Sequence, residues 1–161
     1  MTVQGRTVIF AGEFEHRIDP QGRVSMPARF RPAFEDGIVL SKAYDPCVVV
    51  YTMEQWEKIA EDVAAAPANL AGSRRLARLT FAGSYPSMLD RAGRVLLPPP
   101  LRDYAALEDN VVIVGTGRFL EIWSSAAWRA EREALDEHAA DIAENAPRPA
   151  AGRGSEKGSD S

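Results

Sequence analysis

The sequence is poor in the residues that form covalent crosslinks and metal sites. Cys47 is the only cysteine in 161 residues, so the chain cannot close a disulfide on itself. It is accompanied by only two histidines, His16 and His138, too few for a cluster of metal ligands. The composition therefore excludes a disulfide scaffold, and it predicts neither a metal nor another cofactor.

Long apolar runs are missing as well. No segment approaches the roughly 20 apolar residues of a membrane-spanning helix. The N-terminus lacks the basic region followed by an apolar core that is typical of a secretory signal. We therefore expect a cytoplasmic protein that does not associate with a membrane.

Signals for catalysis are also weak. The segment Gly115-Thr116-Gly117 lacks the lysine and helix start that a phosphate-binding loop requires, and it is typical of a hairpin turn. No Ser/His/Asp set or pair of carboxylates suggests a reaction. The sequence therefore predicts no catalytic residues and a protein that is not an enzyme.

Charge is unevenly distributed along the chain. The net charge is −4, yet 16 of the 19 basic residues are arginine. Between Arg17 and Arg31 there are four arginines against one acidic residue, and between Arg74 and Arg102 there are six against one. From Asp103 onward there are 12 of the 23 acidic residues. This distribution predicts a local basic face opposite an acidic helical end, as in proteins that bind nucleic acid through one surface.

An internal repeat organises the chain. The segment DPQGRVSMPARFR at 19–31 recurs as DRAGRVLLPPPLR at 90–102. Sliding the sequence by 71 residues gives nine identities in 22 positions, where average composition would give about one or two. We conclude that the chain arose by duplication.

Each copy has the same predicted order of elements: a turn, a short helix, a hairpin and a longer helix. The fold class is therefore α+β, with a first repeat at 12–60 and a second at 83–132. A unit of about 45 residues buries too little surface to be stable alone. We therefore expect the two copies to share one core with pseudo-two-fold symmetry.

Local patterns place several elements within this scheme. Thr52 and Gln55 have the spacing of a capping box, which predicts a helix that starts at Thr52. Residues 61–82 are expected to connect the copies in helical form. Ser124 is expected to cap one final helix that extends to Ile142, and residues 147–161 have the composition of a disordered tail.

The repeated turn carries the strongest functional signal. Asp19 and Asp90 can bond to the backbone of their own turns, and Gly22 and Gly93 can supply a positive φ. Two interpretations of the following arginine remain open. It can pair with the aspartate and only hold the turn together, or it can reach DNA phosphates or guanine edges from the tip of a β-ribbon.

The doubled D-x-x-G-R motif, with helices that open at Thr52-x-x-x-Trp56 and Ser124-x-x-x-Trp128, resembles the MraZ family of bacterial transcriptional regulators. That family lies within the AbrB/SpoVT swapped-hairpin group, and the resemblance covers residues 12–142. It implies a duplicated swapped-hairpin β-barrel with flanking helices. It also implies a cytoplasmic, nucleoid-associated repressor that assembles as a closed ring. The family's D-x-x-x-R positions fall on Asp19, Arg23, Asp90 and Arg94.

The resulting functional hypothesis is a sequence-specific DNA-binding repressor. Its partner is expected to be double-stranded DNA with repeated sites, upstream of the division and cell-wall gene cluster and including its own promoter. The residues expected to contact DNA are arginines in or beside the two motifs: Arg17, Arg23, Arg29, Arg31, Arg91, Arg94 and Arg102. We expect Arg23 to matter more than Arg94, because Arg17, Arg29 and Arg31 lie near it in sequence. Trp56 and Trp128 are expected on packing or assembly surfaces, and the alternative hypothesis is a ring-forming protein-interaction module without a DNA role.

Overall fold

The computed structural model describes residues 2–3 and 6–149, with the backbone alone for residues 2–3 and 6–7. The described residues form two compact units, one up to Trp128 and one from Arg129 onward. Most of the expected tail, residues 150–161, lies outside the described residues. The last described residues of that tail, Pro147–Pro149, are in neither helix nor strand.

The first copy contributes strands and helices in the predicted order. Two strands of two residues each form a small ladder ahead of it. In chain order, the elements up to the end of the connecting segment are β1 Thr2–Val3, β2 Arg6–Thr7, β3 Glu13–Arg17, β4 Arg23–Ser25, a 3₁₀ helix Ala28–Phe34, β5 Ile38–Lys42, β6 Val48–Thr52, α1 Met53–Ala65 and α2 Ala71–Ala82. Residues 61–82 thus comprise the end of α1, a break and α2, rather than one continuous helix.

The second copy repeats this order. Its elements are β7 Ser84–Ser87, β8 Arg94–Leu96, α3 Pro99–Tyr104, β9 Asn110–Gly115, β10 Leu120–Ser124, α4 Ser125–Glu137 and α5 Ala139–Asn145. The final helix that we expected to continue to Ile142 is interrupted at His138. No helix in the described part of the chain is long and apolar enough to cross a membrane.

Both predicted helix caps are confirmed. The Thr52 hydroxyl accepts from the backbone N–H of Gln55, and the Gln55 side chain accepts from the backbone N–H of Thr52, at 3.2 Å each. At α4, the Ser124 hydroxyl accepts from the backbone N–H of Ala127 at 3.1 Å. These bonds satisfy donors that the first turn of a helix leaves unpaired.

The main sheet exchanges strands between the copies. Its order is β3-β9-β10-β6-β5-β7, and every neighbouring pair is antiparallel. The first strand of each copy, β3 or β7, therefore pairs with the hairpin of the other copy. The order reads the same from both ends when the copies are interchanged, so the sheet carries the pseudo-two-fold symmetry of the sequence.

The expected barrel does not close. The six-stranded sheet ends at β3 on one side and β7 on the other, and no ladder among the described residues joins these edges. Pro86 lies within β7, and proline has no N–H to offer a further strand. The chain also leaves the sheet at the two Asp turns, after which β4 and β8 pair with each other as a separate ladder.

One buried cluster draws on both copies. It includes Val24 with its counterpart Val95, and Leu40 with its counterpart Ile113. Phe10 lies in the same cluster, with its ring centroid 5.0 Å from that of Phe30. The small ladder β4–β8 has Val24 directly opposite Val95, so the symmetry centre of this ladder is itself buried.

Candidate nucleic-acid interface

The two Asp turns have the same internal geometry. In the first turn, Asp19 Oδ1 accepts from the backbone N–H groups of Gln21 and Arg23, both at 2.9 Å. The backbone N–H of Gly22 donates to the Asp19 carbonyl at 2.9 Å, and Gly22 has φ +84. A side chain at that φ would be strained, so the tight turn requires glycine.

In the second turn, Asp90 Oδ1 accepts from the backbone N–H groups of Ala92 and Arg94 at 2.9 Å each. Gly93 has φ +77, close to the value at Gly22. The sequence repeat is therefore a repeat of backbone geometry.

The arginines of the two turns form one charge cluster, which consists of Asp19, Arg23, Asp90 and Arg94. Each Nε lies 2.9 Å from the aspartate of its own turn. Each Nη1 also approaches the aspartate of the other turn, at 3.9 Å for Arg23 and 3.8 Å for Arg94. One chain therefore presents a single double tip rather than two separate tips.

The carboxylates of this charge cluster are held in the charged form. The pKa of Asp19 is lowered, mainly by the hydrogen bond from the Arg23 backbone. Burial opposes this shift, and the Arg23 side chain and the Gln21 backbone lower the pKa further. The pKa of Asp90 is lowered by the corresponding bonds from Arg94 and Ala92. Because both aspartates are ionised near neutral pH, the four side chains together carry no net charge.

The interpretation in which the arginine holds its own turn together therefore has direct geometric support, since each arginine pairs with its aspartate. That pairing does not use up the guanidinium group, which has five N–H donors. The contacts described for Arg94 involve Nε and Nη1. Arg23 also donates from Nη2 to the side-chain oxygen of Gln21, a contact that Ala92 cannot provide in the second turn.

The next pair of arginines crosses between the copies. Arg31, from the 3₁₀ helix of the first copy, lies against Gly93 in the second turn. Arg102, from α3 of the second copy, has Nη1 3.3 Å from the position that a Cβ on Gly22 would occupy. Sequence reasoning grouped these arginines with the turn nearest in sequence and missed the crossing. The Gly-to-Arg spacing is the same in the two copies. This spacing indicated that Arg31 and Arg102 are equivalent residues, but it did not indicate which turn each of them contacts.

The remaining predicted arginines have three different environments. Arg17 is exposed at the end of β3, and Arg91 is exposed in the second turn. Arg29 is also exposed, but its guanidinium carbon lies 5.1 Å from the ring centroid of Phe30 and 5.8 Å from that of Phe14. A cation over a ring face in this range is attracted to it, so Arg29 is partly engaged within the chain.

The two tryptophans pack within the chain. Trp56 on α1 lies 6.0 Å from the Tyr51 ring and 5.9 Å from the Phe81 ring. Trp128 lies 5.6 Å from Trp123 and donates its indole N–H to Glu13 at 2.7 Å. Both side chains are half-buried, so each retains some exposed surface.

A partly open apolar groove of about 290 Å³ lies beside Trp56. It is lined mainly by large apolar side chains from α1, α2 and the sheet: Tyr51, Trp56, Ile59, Leu76, Leu79 and Phe119. The nearby Cys47 is fully buried, and burial together with Glu121 raises the pKa of its thiol. A thiol held in the neutral form is a poor nucleophile, so this region resembles a packing surface rather than a reactive site.

Comparison with known proteins gives two adjacent family matches. A family model described as "MraZ protein, putative antitoxin-like" matches residues 9–79 and again residues 80–147. Relatives named "Transcriptional regulator MraZ" match most of the chain. The relative from Roseiflexus castenholzii is 40% identical over 131 residues, which cover 81% of this chain and 92% of the relative. The relative from Herpetosiphon aurantiacus is 37% identical over 137 residues (85% and 96%), and that from Heliobacterium modesticaldum is 42% identical over 120 residues (74% and 84%).

Proposed function

The chain belongs to the MraZ family, as its doubled motif predicted, and from that premise we propose that it is a sequence-specific DNA-binding repressor. A role in transcription regulation follows from the names of its relatives, which are regulators rather than enzymes. The proposal adds the DNA-contacting surface, the target sites and the assembly.

The observation that carries the proposal is the convergence of Arg23 and Arg94 on one charge cluster. Their side chains are about one third exposed, and the aspartates fix the orientation of the guanidinium groups. A guanidinium held in place in this way can donate to a phosphate or to a guanine edge without first losing its side-chain freedom. We propose this double tip as the main DNA contact.

Attraction to DNA must come from outside the charge cluster, because the cluster itself is neutral. Five further arginines lie in or beside the two turns: Arg17, Arg29, Arg31, Arg91 and Arg102. They supply a local positive potential on a chain whose net charge is −4. We propose that the exposed Arg17 and Arg91, and to a lesser degree Arg29, contact phosphates directly.

The exchanged strands support a swapped-hairpin fold of the AbrB/SpoVT kind. In this proposal, β4 and β8 form the two-stranded ribbon whose ends carry the turns. Because the turns of both copies meet, one chain is one DNA-binding unit. Several such units in a closed ring would bind repeated sites far more tightly than one unit could.

The proposed targets are repeated short sites upstream of the division and cell-wall gene cluster, including the promoter of the gene for this chain. These targets, the ring and a cytoplasmic, nucleoid-associated location follow from the family resemblance.

A binding experiment tests the DNA role. Fluorescence anisotropy would compare the promoter fragment with a shuffled fragment of equal length and base composition over a series of salt concentrations. We expect tighter binding to the promoter and a steep loss of affinity with salt. The double variant Arg23→Ala/Arg94→Ala should lose most of this affinity.

The matched control is Arg75→Ala/Arg78→Ala, which removes two exposed charges from α2. If both double variants lose affinity equally, the effect is one of net charge and the double tip is not the contact. If the unmodified protein prefers neither fragment, the proposed function itself fails.

The alternative function is a ring-forming interaction module without a DNA role. It is favoured by the apolar groove beside Trp56, because Leu76 and Leu79 on its edge are 40% and 53% exposed. Light scattering distinguishes this alternative when it is combined with the binding data. Several chains per particle without salt-dependent DNA binding would support the module, whereas both together support the repressor.

A further inference from the structure

We propose that Arg31 and Arg102 are positioning residues that brace the two turns against each other, rather than DNA contacts. Each arginine comes from one copy and lies on the glycine of the turn in the other copy. The effect on DNA binding rests on the function proposed above, but the brace itself is a property of the folded chain.

Arg31 joins three segments at one point. Its Nε donates to the Met26 carbonyl at 3.0 Å, and the backbone N–H of Met26 donates to the Gly93 carbonyl at 2.9 Å. The side chain then lies on Gly93 where a Cβ would otherwise be. The ribbon of the first copy is thereby fixed to the turn of the second.

Arg102 makes the reciprocal but looser contact. The backbone N–H of Leu97 donates to the Gly22 carbonyl at 2.9 Å, as Met26 does to Gly93. Arg102 Nη1 lies at the edge of the space beside Gly22, at a distance that a Cβ could nearly accept. We therefore expect Arg31 to be the stronger brace.

The position of Arg31 also argues against a direct DNA contact. Its Nε donates to the Met26 carbonyl, and its Cδ, Nε and Cζ atoms lie against Gly93. These contacts hold the side chain against the second turn, in the other copy. Holding the turn is therefore the role that its geometry supports.

The two glycines offer a matched pair of variants. Gly22 and Gly93 share nearly the same positive φ, so an alanine is equally strained at either position. Only at Gly93 would the new methyl group overlap an arginine side chain and displace it. Gly93→Ala therefore removes the Arg31 brace while keeping every charge, and Gly22→Ala controls for the backbone strain.

The expected result is that Gly93→Ala weakens promoter binding about tenfold more than Gly22→Ala, as expected for loss of a hydrogen bond to a charged group. Because every arginine is retained, the salt dependence of binding should not change. Equal losses in the two variants would overturn the proposal, since backbone strain alone would then explain them.

Substitution of the arginine itself separates bracing from phosphate contact. Lysine keeps the charge but lacks the planar guanidinium, so Arg31→Lys should bind DNA as poorly as Arg31→Ala. Arg31→Lys should keep the salt slope, and Arg31→Ala should lower it by clearly less than the value of about one expected for a lost phosphate contact. Binding restored by Arg31→Lys, or a slope lowered by about one in Arg31→Ala, would contradict the brace.

Hydrogen exchange provides a readout that does not depend on DNA. If Arg31 holds the turn, the Met26 amide that donates to Gly93 should exchange faster in Arg31→Ala than in the unmodified protein. Unchanged exchange would overturn the brace even if DNA binding were intact. The opposite result is also informative. If the Met26 amide exchanges faster in Arg31→Ala but the unmodified protein binds no DNA, the brace is supported and the proposed function is refuted.

Discussion

The first and second turns have the same backbone conformation but differ in the residues at their tips. Each has one aspartate that accepts two backbone N–H groups and holds one arginine at 2.9 Å. Between these fixed residues, the first turn contains Pro20 and Gln21, whereas the second contains Arg91 and Ala92. Gln21 gives Arg23 an additional acceptor, while Arg91 gives the second turn an additional exposed charge.

This difference suggests how a duplicated site can divide its work. The shared aspartate, glycine and arginine form the turn. A change in one of them would disturb its own turn and, through the charge cluster, the turn of the other copy. The two residues at the tip carry no such constraint, so they can make one arginine more restrained and the other more available. We infer that the first turn contributes more to rigidity and the second more to the electrostatic attraction of DNA.

The largest expected effect comes from breaking the part that the turns share. Val24 and Val95 face each other, almost fully buried, at the centre of the β4–β8 ladder. Truncation of either to alanine should lower the free energy of unfolding by about 2 kcal/mol, because each change leaves a cavity in the same cluster.

Urea denaturation measures this effect, with Leu96→Ala as a control because Leu96 in the same ladder is 54% exposed. We expect the two valine variants to agree closely and the control to change little. A large difference between Val24→Ala and Val95→Ala would show that the ladder is not energetically symmetric.

The local elements of the fold could be predicted from the sequence. Local signals were enough for the strands, the capped helices and the tight turns, because each depends on residues within a few positions of one another. The Thr52 and Gln55 cap is an example, since both partners lie in one helical turn. Apolar and charged residues alternate along β3, and this local pattern agrees with the greater burial of Phe14 and His16.

Contacts between the copies could not be predicted in the same way. A strand pattern specifies which face is buried but not which strand lies alongside, so the exchange of β3 and β7 had no local signal. The position of Arg31 shows the same limit, because Gly93 is far away in sequence. Pro86 is a local signal for an edge strand, because proline has no N–H to offer a further strand. Only the strand order shows that β7 is that edge.

The second prediction concerns the two arginines of the charge cluster. Sequence proximity favoured Arg23, but Arg31 lies on the second turn and Arg29 is partly engaged with Phe14 and Phe30. We now expect Arg94→Ala to lose more DNA affinity than Arg23→Ala, by about 1 kcal/mol, within the range typical of one contact.

Thermal melting should show the opposite order, because Arg23 has more partners within the chain than Arg94. Measuring affinity and melting temperature on the same samples tests both halves of the prediction. If Arg23→Ala has the larger effect in both assays, the proposed division of work between the turns is wrong.

A third, smaller effect should appear at low pH. The pKa values of Asp19 and Asp90 are lowered in the folded chain, so the folded state binds these protons less readily than the unfolded state. The resulting stability is fully present above the ordinary carboxyl pKa of about 3.9 and is lost as the pH falls through the lowered values.

The variants Asp19→Asn and Asp90→Asn should therefore be less stable than the unmodified protein at neutral pH. The difference should shrink below about pH 4, where protonation of the unmodified aspartates removes the same charge. Melting curves over a pH series measure this convergence. A difference that stays constant with pH would mean that the ion pairs do not stabilise the turns.

The smallest expected effect comes from exchanging the tips themselves. Gln21→Ala removes the acceptor that holds Arg23 Nη2 and makes the first turn resemble the second. DNA affinity should then rise by a few tenths of a kcal/mol, because a surface contact that competes for the guanidinium is worth no more than that.

The reverse change, Ala92→Gln, should lower affinity by a similar amount, because it gives Arg94 a competing acceptor. Since neither change alters the charge, the salt slope should remain constant in both, and anisotropy titrations at two salt concentrations would verify this. If both variants bind as the unmodified protein does, then a competing glutamine acceptor for the guanidinium does not affect binding. The functional difference between the turns would then lie in the charge of Arg91 alone, and Arg91→Ala should lower both the affinity and the salt slope.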